Sequence, residues 1–112
     1  MKNEDDDWYW GEQMIACFED LRGELAQHHP PVVDREIMPQ FSGRPEDMFL
    51  WFICERGIDV PKLKSIEGLL KSRIQGCMEI RGFPTSAVNS LQVGSTSLED
   101  IEEGGGRFYY FR

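Results

Sequence analysis

Between Met48 and Cys54 the chain reads Met-Phe-Leu-Trp-Phe-Ile-Cys, seven apolar residues without interruption, closed by Glu55 and followed by Gly57. A run of this kind must be covered, and its length limits what it can become. It falls far short of the roughly 20 apolar residues of a membrane-spanning helix. Its aromatic and β-branched content fits a central strand buried on both faces. Pro45-Glu46-Asp47 before the run and Gly57 after it would also serve as the start and stop of a helix over 45–56, and periodicity alone leaves that alternative open. With a strand as the reading, the other segments become the elements that cover it.

Two segments carry helical periodicity. From about Trp8 to Gln27, Trp10, Met14, Cys17, Phe18, Leu21 and Leu25 recur at steps of three and four and form one apolar face, with Asp7 placed to cap the N-terminus. Gly11 and Gly23 each weaken such a helix by about 1 kcal/mol relative to alanine, so it depends on packing. His28-His29-Pro30-Pro31 ends it, because a residue before proline is driven out of the α region. The second helix begins at Asp59-Val60-Pro61, carries the seam Leu63, Ile66, Leu70, Ile74 and Cys77, and closes on Arg81-Gly82-Phe83-Pro84. It concentrates Lys62, Lys64, Lys71, Arg73 and Arg81 against Glu67 and Glu79, so it is basic in an otherwise acidic chain.

Three further stretches read as strands. Val32 to Phe41 contains Pro39, which points to an edge or a bulge, and Ser42 to Asp47 is turn chemistry leading into the central run. Ser90 to Ser95 alternates, with Leu91 and Val93 on one side. After Ser97-Leu98-Glu99-Asp100, a helix cap and an acidic turn running to Glu103, the triple glycine 104–106 reverses the chain into Arg107 to Arg112, an aromatic terminal strand. The expected fold is α+β: one small antiparallel or mixed sheet of about four strands covered by two helices, in the order α-β-β-α-β-β. At 112 residues this is a single domain spanning 1–112, with the acidic stretch 1–7 expected to be solvated and disordered.

Charge narrows the partner. Twenty acidic against twelve basic side chains give a formal charge of -8 and a pI near 4.7. Phosphate contacts need clustered Lys and Arg, so nucleic acid and anionic membrane surfaces are disfavoured and a basic protein is favoured. Cys17, Cys54 and Cys77 are odd in number and sit in apolar segments, as reduced core thiols do, and the acidic opening Met1 to Asp7 is unlike a secretion signal. The expected location is therefore the cytoplasm.

Chemistry finds little support. The sequence has no G-x-S-x-G, no P-loop, no G-x-G-x-x-G, no H-E-x-x-H and no C-x-x-C. His28 and His29 lack a Cys or carboxylate at ligand spacing. The pairs Asp6-Asp7, Glu46-Asp47 and Glu102-Glu103 could in principle hold Mg²⁺, but acidic density alone is weak grounds for it. Gly104-Gly105-Gly106 lacks the lysine and following helix of a phosphate cradle. No enzyme activity, no cofactor and no metal site is expected.

The run MFLWFICE, the helix closing on RGFP, Val93-Gly94-Ser95-Thr96-Ser97, the turn Leu98-Glu99-Asp100-Ile101 and the ending GGGRFYYFR together resemble small immunity proteins of bacterial polymorphic-toxin and contact-dependent growth-inhibition systems. The resemblance is one of pattern over roughly 32–112. It implies a cytosolic, non-enzymatic protein that neutralises a cognate toxin domain by occluding it, as a monomer in the complex. A nuclease toxin would present a basic groove that an acidic surface can fill. Candidate contact residues are Asp5, Asp6, Asp7, Trp8 and Trp10 at the N-terminus, and Glu99, Asp100, Glu102 and Glu103 near the glycines. The alternative is a homo-oligomeric structural or adaptor protein, a homodimer for example, in which a strand at 108–111 pairs with its copy across a sheet edge.

Overall fold

The computed structural model of the protein describes residues 9–38 and 44–111. The apolar run is a strand, β2 (Phe49–Cys54), and the helix-start signal before it is used up in one 3₁₀ turn at Pro45–Asp47. The strand is central in a three-stranded sheet of order β1-β2-β3. Here β1 (Asp34–Met38) runs antiparallel to β2, and β3 (Gln92–Ser97) runs parallel to it.

Alternation along β2 separates two faces. Leu50, Phe52 and Cys54 point to one side, all fully buried within the main core. Phe49, Trp51 and Ile53 point to the other. Ile53 is also fully buried, yet it stands outside the main core cluster, so β2 is covered on both faces as the uninterrupted apolar run requires.

Five helices build the core on the first face. The N-terminal helix has two parts, α1 (Tyr9–Asp20) and α2 (Arg22–Leu25), with a break at Leu21 beside the unfavourable Gly23. The stretch after β2 begins with a 3₁₀ turn at Gly57–Asp59 and continues as α3 (Val60–Ser65) and α4 (Glu67–Ile80), which are separated at Ile66. Gly82, at φ 82, closes α4: its N–H reaches the Glu79 carbonyl at 3.1 Å and the Phe83 N–H reaches that of Met78 at 3.0 Å. Next comes α5 (Thr85–Ser90), so β3 starts two residues later than Ser90 and runs on to Ser97. Together α3, α4 and α5 form the long crossover that a parallel strand pair needs.

Charges of the basic helix fasten it to its neighbours. Arg73 makes a two-pronged bond to Glu24, at 2.8 and 2.9 Å, which holds the Glu24 carboxyl below its ordinary pKa. Arg81 reaches Asp20 at 2.8 Å and Gln13 at 3.2 Å.

After β3 the chain turns into α6 (Leu98–Glu103), capped by Ser97, whose Oγ accepts the Asp100 N–H at 3.0 Å. Residues 107–110, expected as a fourth strand, form a short helix instead, α7 (Arg107–Tyr110). Gly105 and Gly106 adopt φ 94 and 91, which folds α7 back over the second face of the sheet and away from its edge. Arg107 fixes it there, donating to Glu36 at 2.7 Å, to the Arg35 carbonyl at 3.1 Å and to Asp34. The described residues therefore form an α+β fold with a mixed sheet of three strands and seven α-helices, in place of about four strands and two helices. Of the expected first strand 32–41, residues 34–38 pair in the sheet, and 39–41 lie outside the described residues.

Candidate partner-binding surface

The second face of the sheet is where apolar and acidic side chains meet at the surface. At the carboxyl ends of β2 and β3, α6 packs against β3 and the Gly57 turn. Glu99 Oε1 accepts the Gly57 N–H at 2.9 Å, and a Cβ on Gly57 would lie 2.9 Å from Asp100 Oδ1, so the helix sits close against this turn. Ile101 is buried beneath the helix. Glu102 and Glu103 project into solvent together with Glu99, and Asp100 is half-buried.

Large apolar side chains stand in the open on the same elements. Ile58 is 77% exposed, Leu98 38%, Phe108 72% and Tyr109 63%. Phe108 and Tyr109 meet edge to face at 5.2 Å. Exposed aromatic side chains are the kind that act as anchors where a surface binds a partner. On the other face of the sheet, at the end of β2, the Cys54 thiol is pushed up in pKa, first by burial and then by the negative charge of Asp59 and Asp100. The thiol stays protonated and donates to the Thr96 carbonyl at 3.5 Å, a group held inside the fold with no exposed reactive atom.

The sequence-derived contact residues separate clearly. Asp5, Asp6, Asp7 and Trp8 lie outside the described residues. Trp10 is 7% exposed and packs on Phe83 at 4.6 Å, so its ring belongs to the core between α1 and the end of α4. Glu99, Asp100, Glu102 and Glu103 are brought together on one short helix.

The sequence reading missed an aromatic hollow of about 460 Å³ on the same sheet face, bounded by Phe49, Trp51, Tyr110 and Phe111 with Asp47 at the rim. Trp51 lies 5.0 Å from Phe49 and 5.6 Å from Phe111. Alternation in the apolar run separates Phe49 and Trp51 from Leu50 and Phe52, but the hollow itself follows from the strand pairing, which the run alone does not give.

Among the described residues no group of three or more His, Cys, Asp or Glu side chains is placed to hold a metal ion, and no helix is long and apolar enough to cross a membrane. Compared with protein-family models, with curated proteins and with solved structures, the chain matches none.

Proposed function

We propose that the protein is an immunity-type binding protein that neutralises a basic cognate toxin domain, for instance a nuclease, by covering its active site with the α6–α7 surface. One observation carries this reading: Leu98, Phe108 and Tyr109 are exposed on two consecutive short helices, the first of which also carries the exposed Glu99, Glu102 and Glu103. The apolar side chains provide burial and the carboxylates, in a chain of formal charge -8, draw a cationic surface in and select against anionic ones. The role is binding, with no chemical step, and the protein acts as a monomer in a one-to-one complex. Its setting is the bacterial cytoplasm, where the toxin would act.

The pairing of 108–111 with a second copy, the basis of a homo-oligomer, loses its element, because those residues lie in and just after α7 and not in a strand.

The test is co-expression with the toxic domain encoded immediately upstream in the same genome, with purification through a tag on one partner and a parallel assay of toxicity. A stoichiometric complex that protects cells is the expected result. Replacing Glu102 and Glu103 by lysine should then slow association by about tenfold at low salt and much less at high salt. An unchanged rate would remove α6 from the interface.

A further inference from the structure

The aromatic hollow is a built feature with a defined chemistry. Gly94 stands beside Trp51 in the sheet, and a Cβ there would meet ring atoms of both Phe49 and Trp51 at 2.9 Å, so the two rings lie across β3 only because position 94 has no side chain. On the far side Tyr110 is held through its hydroxyl, 2.6 Å from Thr96 Oγ1, and its ring occupies space that a Cβ on Gly104 would invade at 2.6 Å. Phe111 meets Tyr110 edge to face at 5.0 Å. Arg107, at the start of the same helix, is committed to Asp34 and Glu36. Each ring that bounds the space is therefore positioned by a contact behind it, and the hollow exists before any ligand arrives.

Its electrostatics favour a flat cation. Aromatic faces carry negative quadrupole density, and the Asp47 carboxylate at the rim adds a full charge. Asp47 pairs with Arg44 at 3.7 Å, but both side chains are largely exposed, so that pair is weak and exchangeable. It also shows that a guanidinium can reach this carboxylate. The volume, about 460 Å³, is in the range of ligand sites and is larger than one small cation needs, which leaves room for the stem and neighbouring backbone of a peptide.

We propose that this hollow receives an arginine side chain of the basic protein partner, its guanidinium stacked on the aromatic walls around Trp51 and its fork paired with Asp47. Arginine is favoured over lysine because a planar, weakly hydrated guanidinium stacks on rings and bonds a carboxylate in two places, whereas an ammonium is a compact, strongly hydrated charge. The proposal rests on the reading of a basic protein partner and names the side chain that such a partner inserts.

The experiment needs no toxin. The full ¹⁵N-labelled chain is titrated with the blocked tripeptide acetyl-Gly-Arg-Gly-amide, with its lysine and citrulline counterparts and with tetramethylammonium chloride, and the Trp51 indole N–H resonance is followed. The arginine peptide should shift Trp51 with millimolar affinity, about threefold tighter than the lysine peptide and about tenfold tighter than the neutral citrulline peptide. Asp47→Asn, an exposed change that spares the fold, and Phe111→Ala should each weaken the arginine peptide about threefold. Equal binding of arginine and citrulline, no shift at Trp51, or tighter binding of tetramethylammonium than of the arginine peptide would each overturn the proposal, the last by assigning the hollow to a small-molecule cation. If a toxin complex forms and survives Asp47→Asn and Phe111→Ala unchanged, the immunity reading stands and the arginine pocket falls.

Discussion

The Cys17 and Cys54 thiols are fully buried and both are raised in pKa. Burial is the largest cause for each; a hydrogen bond with Cys77 adds to it at Cys17, and the Asp59 charge adds to it at Cys54. The consequence for stability has a definite sign. In the unfolded chain a cysteine ionises near about 8.5, while the folded chain keeps these two protonated to higher pH. Stability from the neutral thiols is complete below that pH and is lost as pH rises above it, by about 1 kcal/mol per pH unit for each thiol. Urea midpoints should fall between pH 7.5 and pH 9.5, and the Cys17→Ala, Cys54→Ala double variant should show a shallower fall from a lower starting point. A parallel decline in the two proteins would assign the pH dependence to other groups. A second residue-scale prediction concerns Gly94. Adding one methyl forces the rings of Phe49 and Trp51 to move, and overpacking of this kind costs about 1–3 kcal/mol. Gly94→Ala should lower the urea midpoint accordingly and shift the Trp51 resonance.

Among the elements, α7 is tied to the edge strand β1 by one side chain. Arg107 joins it to β1 through Glu36, Asp34 and the Arg35 carbonyl, and the Glu36 side chain is only 12% exposed. Arg107→Ala removes all three of these bonds at once, one of them to a largely buried carboxylate, a loss of about 2 kcal/mol. Urea denaturation should show this loss together with a red-shifted tryptophan emission, because Trp51 loses its cover from Phe111. An unchanged emission would mean that the aromatic contacts and the Tyr110–Thr96 hydrogen bond hold α7 without Arg107. The same element marks the limit of what could be read from the chain. The seven-residue run identified β2, Ser97 identified the start of α6, and Arg81-Gly82-Phe83-Pro84 identified the end of α4, because each is a local chemical signal. Arg107 to Tyr110 has the aromatic content of a strand, yet it is helical: the glycine turn just before it folds it back, and the acceptors that hold it on β1 lie 71 to 73 positions away from Arg107 in sequence. The breaks at Leu21 and Ile66 were likewise not legible, because the apolar periodicity continues through them. The acidic half of the candidate surface was legible as charge. The aromatic hollow was not, since it depends on the pairing that sets Gly94 beside Trp51, and a register is a property of two strands.

At the scale of the molecule the governing quantity is the formal charge of -8. An excess of one sign makes the folded state repel itself, most where like charges are adjacent, as at Glu99, Asp100, Glu102 and Glu103 on a single short helix. Salt shortens the reach of that repulsion, to about 10 Å at 0.1 M and about 3 Å at 1 M, while it also weakens exposed pairs such as Arg73 with Glu24, whose side chains are about half exposed. Twenty acids against twelve bases leave an excess of like charge whose mutual repulsion salt relieves. Melting temperature should therefore rise between 10 mM and 500 mM NaCl. The Glu102→Lys, Glu103→Lys variant should melt higher than the natural chain at low salt and lose most of that advantage at high salt. The same two changes are expected to slow capture of a basic partner, so stability and association would move in opposite directions. That opposition separates two explanations of the acidic helix. A helix that serves only solvation has no reason to hold four carboxylates at a cost in stability, whereas a binding surface does, because the repulsion is relieved when a cationic partner docks. If the variant melts no higher at low salt, the carboxylates impose no such cost, and the charge of α6 ceases to argue for a partner.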